Sequence, residues 1–244
     1  MENSHLLISG ATSDIGKEIV RLLAPNYKLL LHARDELKLA NLKKQFDLLD
    51  TKCWIYDLTE VDGIHDSLKE IQITEGISIS GFIHCAGTLR ILPIKNFRLD
   101  YTRNIFNVNF FSAVEIIKTL LLKSNYGLLN NIVVISAMYS KFGNKGNSIY
   151  AASKGALDSL VKSLAVELAP KVRVNSILPG GLRTKMTNHL FENPEYMLKY
   201  KEKYLLGEGS VADIAAMVKF LISSEAKWIT GQHFMIDGGC SSHL

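Results

Sequence analysis

A phenol and an ammonium group stand four residues apart in the second half of the chain, at Tyr150 and Lys154. On a helix, side chains at this spacing share one face and can act together. A tyrosine ordinarily has a pKa of about 10, and a neighbouring positive charge lowers it by favouring the phenolate. The pair could therefore exchange a proton with a substrate oxygen. Because any amphipathic helix can show this spacing by chance, the assignment needs support from the rest of the chain.

A glycine-rich turn follows the first apolar segment, with Gly10 and Gly16 on either side of five residues. Such a turn lets the backbone approach a pyrophosphate, whose charge is favoured at the N-terminus of the following helix. The pattern predicts a phosphate site formed by Gly10, Ser13, Asp14, Ile15 and Gly16, although a plain strand-to-helix turn has the same composition. A carboxylate facing a diphosphate would be repelled, so we expect Asp14 to cap the amides that open the helix.

Short apolar segments alternate with segments of helical spacing from one end of the chain to the other. The predicted strands are 6–8, 29–31, 53–56, 82–85, 132–135, 172–178 and 234–236. The predicted helices are 15–23, 36–48, 101–123, 148–168 and 211–223, the last opened by a capping pair of Ser210 and Asp213. Strands joined by helical crossovers predict an α/β fold, a doubly wound, mostly parallel, seven-stranded Rossmann-like sheet with helices on both faces.

Length and composition favour one globular domain over residues 1–244. The chain is 47% hydrophobic and 21% charged, and its net charge of +4 is not gathered into a basic stripe, so no nucleic-acid partner is expected. Neither a membrane-spanning segment nor a signal peptide is visible, which predicts a cytoplasmic protein with no membrane partner. Three widely spaced cysteines (Cys53, Cys85 and Cys240) are expected to be reduced thiols, and no metal site is expected.

In their joint order and spacing, these pieces resemble the short-chain dehydrogenase/reductase family in its one-domain form, similar to 3-oxoacyl-acyl carrier protein reductase-like enzymes. Besides the glycine turn and the Tyr150–Lys154 pair, the matching segments are Asp57-Leu58-Thr59, His84-Cys85-Ala86-Gly87, Pro179-Gly180, Thr184, Thr230-Gly231-Gln232 and Asp237-Gly238-Gly239. The resemblance covers nearly the whole chain. Two departures stand out, because Asp14 replaces the family's middle glycine, and His84 with Cys85 replaces two asparagines.

The resemblance implies that the chain binds a dinucleotide, and the matching positions indicate which residues would contact it. Besides the glycine turn, the expected cofactor-binding residues are Arg34, Asp57, Leu58, Ala86, Gly87, Tyr150, Lys154, Pro179, Gly180, Leu182 and Thr184. Arg34 matches the position where NADP-preferring relatives carry arginine, and its guanidinium suits a 2′-phosphate. A solvated arginine at the start of a helix is the alternative for Arg34. Asp35 is expected to be the helix N-cap and not a ribose ligand. The expected cofactor is NADP(H).

The family's catalytic set is only partly present. Asn109 matches the asparagine that would hold a water leading from Lys154 to solvent. The family's serine, thirteen residues before the tyrosine, is replaced by Ala137. Ser136 is the candidate substitute but needs a bulge, since adjacent strand residues face opposite ways. Tyr139 or Ser140 could donate from the following loop instead.

The expected function is NADP(H)-dependent transfer of a hydride between the nicotinamide and a carbonyl or secondary alcohol, with Tyr150 as the proton donor. The alternative is a catalytically impaired NADP-binding protein with a sensing or assembly role, which Ala137 favours. A third hypothesis, a nucleic-acid-binding or scaffold protein, is supported only by the slightly basic net charge.

By the same resemblance, residues 185–209 form a substrate lid and the chain is a homo-oligomer, a tetramer or dimer joined through its two long helices and its C-terminal strand. The residues that could line the lid's pocket, or equally serve as ordinary packing residues, are Met186, Phe191, Tyr196, Met197, Tyr200 and Tyr204.

Overall fold

Seven short strands form one parallel sheet in the computed structural model, which describes residues 4–48, 50–122, 125 and 128–243. The strands are β1 (Ser4–Ser9), β2 (Leu29–Ala33), β3 (Lys52–Ile55), β4 (Ser78–His84), β5 (Asn131–Ile135), β6 (Arg173–Pro179) and β7 (His233–Ile236). Their order in the sheet is β3-β2-β1-β4-β5-β6-β7, and each neighbouring pair is parallel. The predicted fold class is therefore confirmed.

Helices cover both faces of this sheet. They are α1 (Asp14–Leu23), α2 (Glu36–Gln45), α3 (Ile64–Thr74), α4 (Leu99–Phe106), α5 (Ser112–Leu120), α6 (Ser148–Glu167), α7 (Asn188–Phe191), α8 (Pro194–Lys203) and α9 (Val211–Ile222). The sequence prediction did not include α3, α7 or α8. Within the described parts of the chain, no helix combines the length and the apolar character needed to cross a membrane.

Successive residues of one strand enter two different cores. Leu7 of β1 packs with α3, α5 and α6, whereas its neighbour Ile8 packs with α1, α2 and α9. Because both faces of the sheet are covered, the central residues of β1 are buried on either side of the sheet and are apolar on both. This explains why they show no alternation of apolar and polar residues.

The sheet changes direction at its centre. From β1 the chain winds outward through β2 and β3, then returns to β4 on the other side of β1 and winds outward again to β7. In open parallel sheets, ligands bind beyond the carboxyl ends of the strands at such a point. The turns after β1 and β4 are the ones that carry the predicted glycine motif and the segment His84-Cys85-Ala86-Gly87.

The predicted helix over 101–123 is not continuous. A π-helical turn, Asn107–Phe111, separates α4 from α5, and Lys123 lies outside the described residues. A π-helical turn widens the helix by one residue and is found frequently at functional sites. Hydrophobic spacing could not reveal it, because the segments on both sides keep a helical period.

Two of the predicted helix starts are confirmed. The Asp213 carboxylate accepts a hydrogen bond from the backbone N–H of Ser210 at 2.7 Å, as expected for the pair that opens α9. The Asp35 carboxylate accepts one from the Lys38 N–H at 3.0 Å and so caps α2.

Candidate active site

A cleft of about 540 Å³ opens at the carboxyl ends of β1 to β4. Seven of the predicted cofactor residues line it: Gly10, Ser13, Arg34, Asp57, Leu58, Ala86 and Gly87. The sequence prediction did not include several further polar residues of its lining, among them Thr12, Lys17, Lys38, Asn41 and Lys185. The three additional lysines and Arg34 make the lining cationic, which suits a polyanionic ligand.

The glycine loop is shaped for close backbone contact. Gly10 has a φ of 67°, and a Cβ there would lie 2.7 Å from Cα of Ala86 in the turn after β4. A Cβ on Gly16 would overlap the carbonyl oxygen of Gly10. The loop can therefore keep this shape only with glycine at both positions. It leads into the N-terminus of α1, so these residues fit a dinucleotide's diphosphate.

Ser13, and not Asp14, caps helix α1. The Ser13 hydroxyl oxygen accepts from the Gly16 N–H at 3.0 Å. The Asp14 carboxylate instead accepts from the backbone N–H of Lys185 at 2.6 Å, 171 residues away in the sequence. The expectation that Asp14 caps the helix amides is therefore wrong. Ser13 stands one residue earlier, in the position where a side-chain oxygen can reach back to the helix.

His32 connects the ends of three strands. Its Nδ1 accepts from the Gly10 N–H at 3.2 Å, and its Nε2 lies 3.1 Å from the Tyr56 carbonyl oxygen. With Nδ1 as the acceptor, Nε2 carries the proton and donates to that carbonyl. Burial lowers the pKa of His32 to about 4, so the ring is neutral in the folded protein. This imidazole fixes the glycine loop relative to the end of β3.

The far end of the cleft carries two cations. Arg34 Nη1 lies 3.6 Å from the Asp57 carboxylate, and Lys38 Nζ lies 3.1 Å from the Asp35 carboxylate. Both ion pairs are exposed and therefore weak, so an incoming anion can replace them. Lys38 lies in the first turn of α2, close in sequence to Arg34, and a second cation at the start of this helix is the sequence signal that could have identified it.

Tyr150 and Lys154 lie in the first turns of α6, with the Lys154 Nζ 5.9 Å from the centre of the Tyr150 ring. Lys154 is buried and donates a hydrogen bond to the Ile135 carbonyl oxygen at 2.8 Å. Its Nζ is also 3.4 Å from the position that a Cβ on Gly87 would occupy. The pair therefore stands beside the floor of the cleft.

The surroundings push both members of the pair toward their neutral forms. Burial raises the pKa of Tyr150, and the nearby phenol of Tyr139 raises it further. Burial lowers the pKa of Lys154 to about 8. We expected Lys154 to lower the pKa of Tyr150, but in the protein alone this pKa is raised. The cost of removing the phenolate from water is larger than its attraction to the Lys154 ammonium at this distance.

Asn109 lies in the π-helical turn and is fully buried. Its side-chain oxygen accepts from the Thr88 N–H at 2.7 Å, and its Nδ2 donates to the Thr88 carbonyl and to the Ser153 hydroxyl, each at 3.0 Å. The amide is thus used to join the turn after β4 to helix α6. Both side-chain N–H groups of Asn109 are engaged, so the predicted water could meet this residue only at an oxygen.

The backbone carbonyl of Asn109 is contacted by His84, one of the two departures from the family pattern. His84 Nε2 lies 3.2 Å from the Asn109 carbonyl oxygen, and Nδ1 lies 2.9 Å from the Ser9 hydroxyl. The Ser9 oxygen accepts from the N–H groups of Cys85 and Ala86, so its own proton points to His84. Burial and the Lys154 charge lower the pKa of His84 to about 3. The neutral imidazole of His84 therefore links the end of β1, at Ser9, to the π-helical turn, at Asn109.

Ser136 does not replace the missing serine. It is buried, its hydroxyl donates to the Lys154 carbonyl at 3.2 Å, and its N–H donates to the Ile177 carbonyl without a bulge in β5. The prediction of Ser136 as a catalytic donor is wrong, because an undistorted strand end directs its side chain against α6. The Ser140 hydroxyl is also engaged, since it donates to the buried Asp158 carboxylate.

The turn after β6 carries the remaining predicted cofactor residues, Pro179, Gly180, Leu182 and Thr184. A Cβ on Gly180 would lie 2.8 Å from Cα of Asp237, so this turn packs tightly against the end of β7. The side chains of Leu182 and of Ile15 in the glycine loop pack into the apolar core between α1, α9 and the sheet. These two residues can therefore meet a ligand only through their backbone.

Two tyrosines of the predicted lid hold the same turn. The Tyr204 hydroxyl accepts from the Gly181 N–H at 2.6 Å, and the Tyr200 hydroxyl donates to the Gly181 carbonyl at 2.8 Å. Their rings are stacked 3.9 Å apart. Most of the residues predicted to line the lid pack into one apolar cluster with Met138 and Cys240: Phe191, Tyr196, Met197, Tyr200 and Tyr204. Met186 is exposed.

Comparisons with known proteins agree with this geometry. Residues 10–241 match the model of the family described as enoyl-(acyl carrier protein) reductase. The chain is similar to the 3-oxoacyl-(acyl-carrier-protein) reductase FabG of Thermotoga maritima, with 31% identity over 252 residues that cover 98% of each chain.

Two solved structures are similar over nearly the whole chain. 4-Hydroxyisoleucine dehydrogenase complexed with NADH has a TM-score of 0.91 and 28% identity, covering 99% of this chain and 100% of its own. Gluconate 5-dehydrogenase from Burkholderia cenocepacia J2315, in complex with NADP and tartrate, has a TM-score of 0.90 and covers 99% of this chain and 96% of its own. At 22% identity, the second likeness concerns the fold alone.

Proposed function

The chain belongs to the short-chain dehydrogenase/reductase family of oxidoreductases, and on this premise we propose that it is an NADPH-dependent carbonyl reductase. The observation that carries the proposal is the position of Lys154. Its Nζ lies beside Gly87, so the Tyr150–Lys154 pair adjoins a cleft whose far end holds Arg34 and Lys38. Proton chemistry and dinucleotide binding are thereby brought to one place.

Different residues around the cleft would bind different parts of the dinucleotide. The N–H groups of the glycine loop would bind the diphosphate, with Lys17 and Lys185 adding positive charge. Gly180 and Thr184, in the turn after β6, would hold the nicotinamide amide. When bound, NADPH supplies the hydride that reduces the carbonyl carbon of the substrate.

Tyr150 would donate the proton to the substrate oxygen. Because its surroundings raise its pKa, the phenol keeps its proton at neutral pH and is ready to donate it. Lys154 would stabilise the phenolate that remains, since its ammonium is the nearest cation on the same helix face. The Asn109 carbonyl oxygen is our candidate for holding the water that returns a proton from solvent through Lys154.

Tyr139 would replace the missing serine as the second donor to the substrate oxygen. Among the hydroxyls that flank Ala137, those of Ser136 and Ser140 are engaged elsewhere. The Tyr139 phenol is near enough to Tyr150 to raise its pKa. Burial raises the pKa of Tyr139 itself to about 12, so its hydroxyl retains the proton that a donor needs.

The preference for NADPH over NADH rests on Arg34 and Lys38. A 2′-phosphate between them would form charge-assisted hydrogen bonds with a guanidinium and an ammonium whose present ion pairs are exposed. Asp35 cannot easily serve as a ribose ligand, because its carboxylate caps α2. We therefore expect kcat/KM to favour NADPH by about tenfold or more, and Arg34→Ala to reduce that ratio.

The proposal is tested by following NADPH oxidation with a panel of ketones, aldehydes and 3-oxoacyl thioesters, the last chosen from the name of the Thermotoga maritima relative. Turnover should be lost in Tyr150→Phe and kept in Tyr27→Phe. The control removes a phenol from the connection between α1 and β2, which precedes the amino end of its strand. No turnover with any carbonyl, or equal activity in Tyr150→Phe, would contradict a reductase.

A second candidate function is a dinucleotide-binding protein without catalysis, which Ala137 favours. Binding and turnover separate the two candidates. Stabilisation of the protein by NADPH in a thermal-shift assay, together with no turnover of any carbonyl in the panel, would support the second candidate over the first.

We also propose that the protein is cytoplasmic and works as a homo-oligomer, a tetramer or dimer. Strand β7 is at the edge of the sheet and only half-buried, and Trp228 just before it is 97% exposed. A second copy covering this edge would bury both. Light scattering of the purified protein would measure the assembly.

A further inference from the structure

Asp14 and Lys185 form a link beside the cleft. Ser13, next to Asp14, and Lys185 both line the cleft. The 2.6 Å hydrogen bond from the Lys185 N–H to the Asp14 carboxylate therefore connects the glycine loop to the turn after β6. A hydrogen bond to an ionised acceptor is stronger than one between neutral groups.

The turn after β6, whose Lys185 N–H donates this hydrogen bond, is itself held by further hydrogen bonds. The Thr187 hydroxyl donates to the Leu182 carbonyl and accepts from the Thr184 N–H at 3.0 Å, which closes residues 182–187 into a loop. Leu182 is anchored in the apolar core, and Arg183 pairs with Glu208 at 2.7 Å. Because the loop is closed on itself, a bond that holds the Lys185 backbone also fixes the position of Thr184.

The carboxylate of Asp14 is unfavourable for binding a phosphate nearby. Asp14 opens helix α1, whose N-terminus we assign to the diphosphate, and a negative charge there repels a phosphate. The cleft contains two cations that offset this charge, on Lys17 and Lys185. The family's glycine at position 14 would avoid the repulsion but would leave the Lys185 N–H without its partner.

We propose that Asp14 is a positioning residue that clasps the turn 182–187 to the glycine loop and slows the release of the dinucleotide. The inference rests on the proposed function, because it takes the ligand of the cleft to be NADPH. It assigns Asp14 no contact with the cofactor and no part in the chemistry. The bond would act through the place it gives to Thr184 and to the Lys185 side chain.

Two variants separate the hydrogen bond from the charge. Asp14→Gly removes both, whereas Asp14→Asn keeps an oxygen that can accept from the Lys185 N–H. In stopped-flow measurements of NADPH fluorescence, we expect Asp14→Gly to release NADPH about fivefold to tenfold faster, which corresponds to one hydrogen bond. Asp14→Asn keeps the bond in a weaker, uncharged form and also removes the repulsion of the diphosphate; these two effects oppose each other, so this variant should release NADPH at close to the wild-type rate. Asp66→Gly, the same replacement at an exposed position in the first turn of α3, is the control.

A second readout needs no cofactor. Trypsin cleaves after Arg183 and Lys185, so the clasp should protect these sites in the protein alone, and Asp14→Gly should be cut there faster than Asp14→Asn. Wild-type rates of release and cleavage in Asp14→Gly would overturn the proposal, as would an Asp14→Asn variant that behaves like Asp14→Gly. If the protein does not bind NADPH, the proposed function fails, and the cleavage rates still decide whether the clasp exists.

Discussion

The protonation states of two residues set the direction in which this site works most easily. Burial raises the pKa of Tyr150, so the phenol is an acid that holds its proton. Burial also lowers the pKa of Lys154 to about 8, so its ammonium is present at neutral pH and is lost as the pH rises through that value. A protonated phenol next to a cation suits reduction of a carbonyl, which consumes a proton.

Tyr139 is the residue whose role is easiest to isolate. We expect Tyr139→Phe to lower kcat by about 10²-fold, the usual effect of removing one donor from a reacting oxygen. Ala137→Ser introduced into that variant should restore part of the rate, because it returns a hydroxyl to the position where the family carries one. Steady-state kinetics of the single and double variants measure both effects.

Ser140→Ala is the matched control for this prediction. The Ser140 hydroxyl donates to the buried Asp158 carboxylate, so its removal should lower the stability and leave kcat nearly unchanged. A Tyr139→Phe variant with wild-type kcat would show that Tyr139 is not the donor. An Ala137→Ser change that gives no gain in the variant background would show that position 137 does not face the substrate oxygen.

At the scale of elements, the site is assembled from strand ends, a π-helical turn and helix ends. Asn109 lies in the π-helical turn between α4 and α5, and His84 at the end of β4 contacts its carbonyl oxygen. Tyr200 of α8 and Tyr204, which directly follows α8, bond to the turn after β6. Each of these contacts joins a segment that we propose to bind the cofactor to a segment that we propose to carry catalysis or to cover the substrate.

The contact between α8 and the turn after β6 gives a stability prediction. Tyr204→Phe leaves the Gly181 N–H without its acceptor, which should cost about 1 to 3 kcal/mol of the free energy of unfolding. Denaturant titration measures this change. Tyr196→Phe removes a hydroxyl from the same helix without removing a partner of Gly181 and should have the smaller effect. Equal effects of the two variants would contradict the role assigned to Tyr204.

At the scale of the whole molecule, two neutral imidazoles are built into the centre of the sheet. His32 joins the ends of β1, β2 and β3, and His84 joins the end of β4 to the π-helical turn. Burial lowers the pKa of His32 to about 4, and burial with the charge of Lys154 lowers the pKa of His84 to about 3. An unfolded chain would bind a proton at each of them near pH 6.5.

The folded protein should therefore lose stability as the pH falls below about 6.5 toward 4, because the unfolded chain takes up protons that the folded one does not. Two such groups give a slope of about 2.7 kcal/mol per pH unit where both are protonated in the unfolded chain and neutral in the folded one. His84→Asn should reduce the slope by about one proton, and His189→Asn, at an exposed position on α7, is the matched control. Denaturant titrations at several pH values measure the slope, and an unchanged slope in His84→Asn would contradict the assignment.

The sequence alone was enough to predict the sheet, most of its crossover helices, the glycine loop and the Tyr150–Lys154 pair. These features depend on local periodicity, on glycine spacing and on residues one helical turn apart, all of which are properties of neighbouring residues. The sequence did not predict the π-helical turn at Asn109, because the helical period of apolar residues continues on both sides of that turn.

Only the tertiary structure decided which way the polar side chains point. Ser136 and Ser140 carry hydroxyls near position 137, but contacts with α6 turn both of them away from the pair. Asp14 could have capped its own helix, yet its partner is an amide 171 residues later. Hydrogen-bond partners of this kind are chosen by the packing of distant segments, and a pattern read along the chain contains no information about that packing.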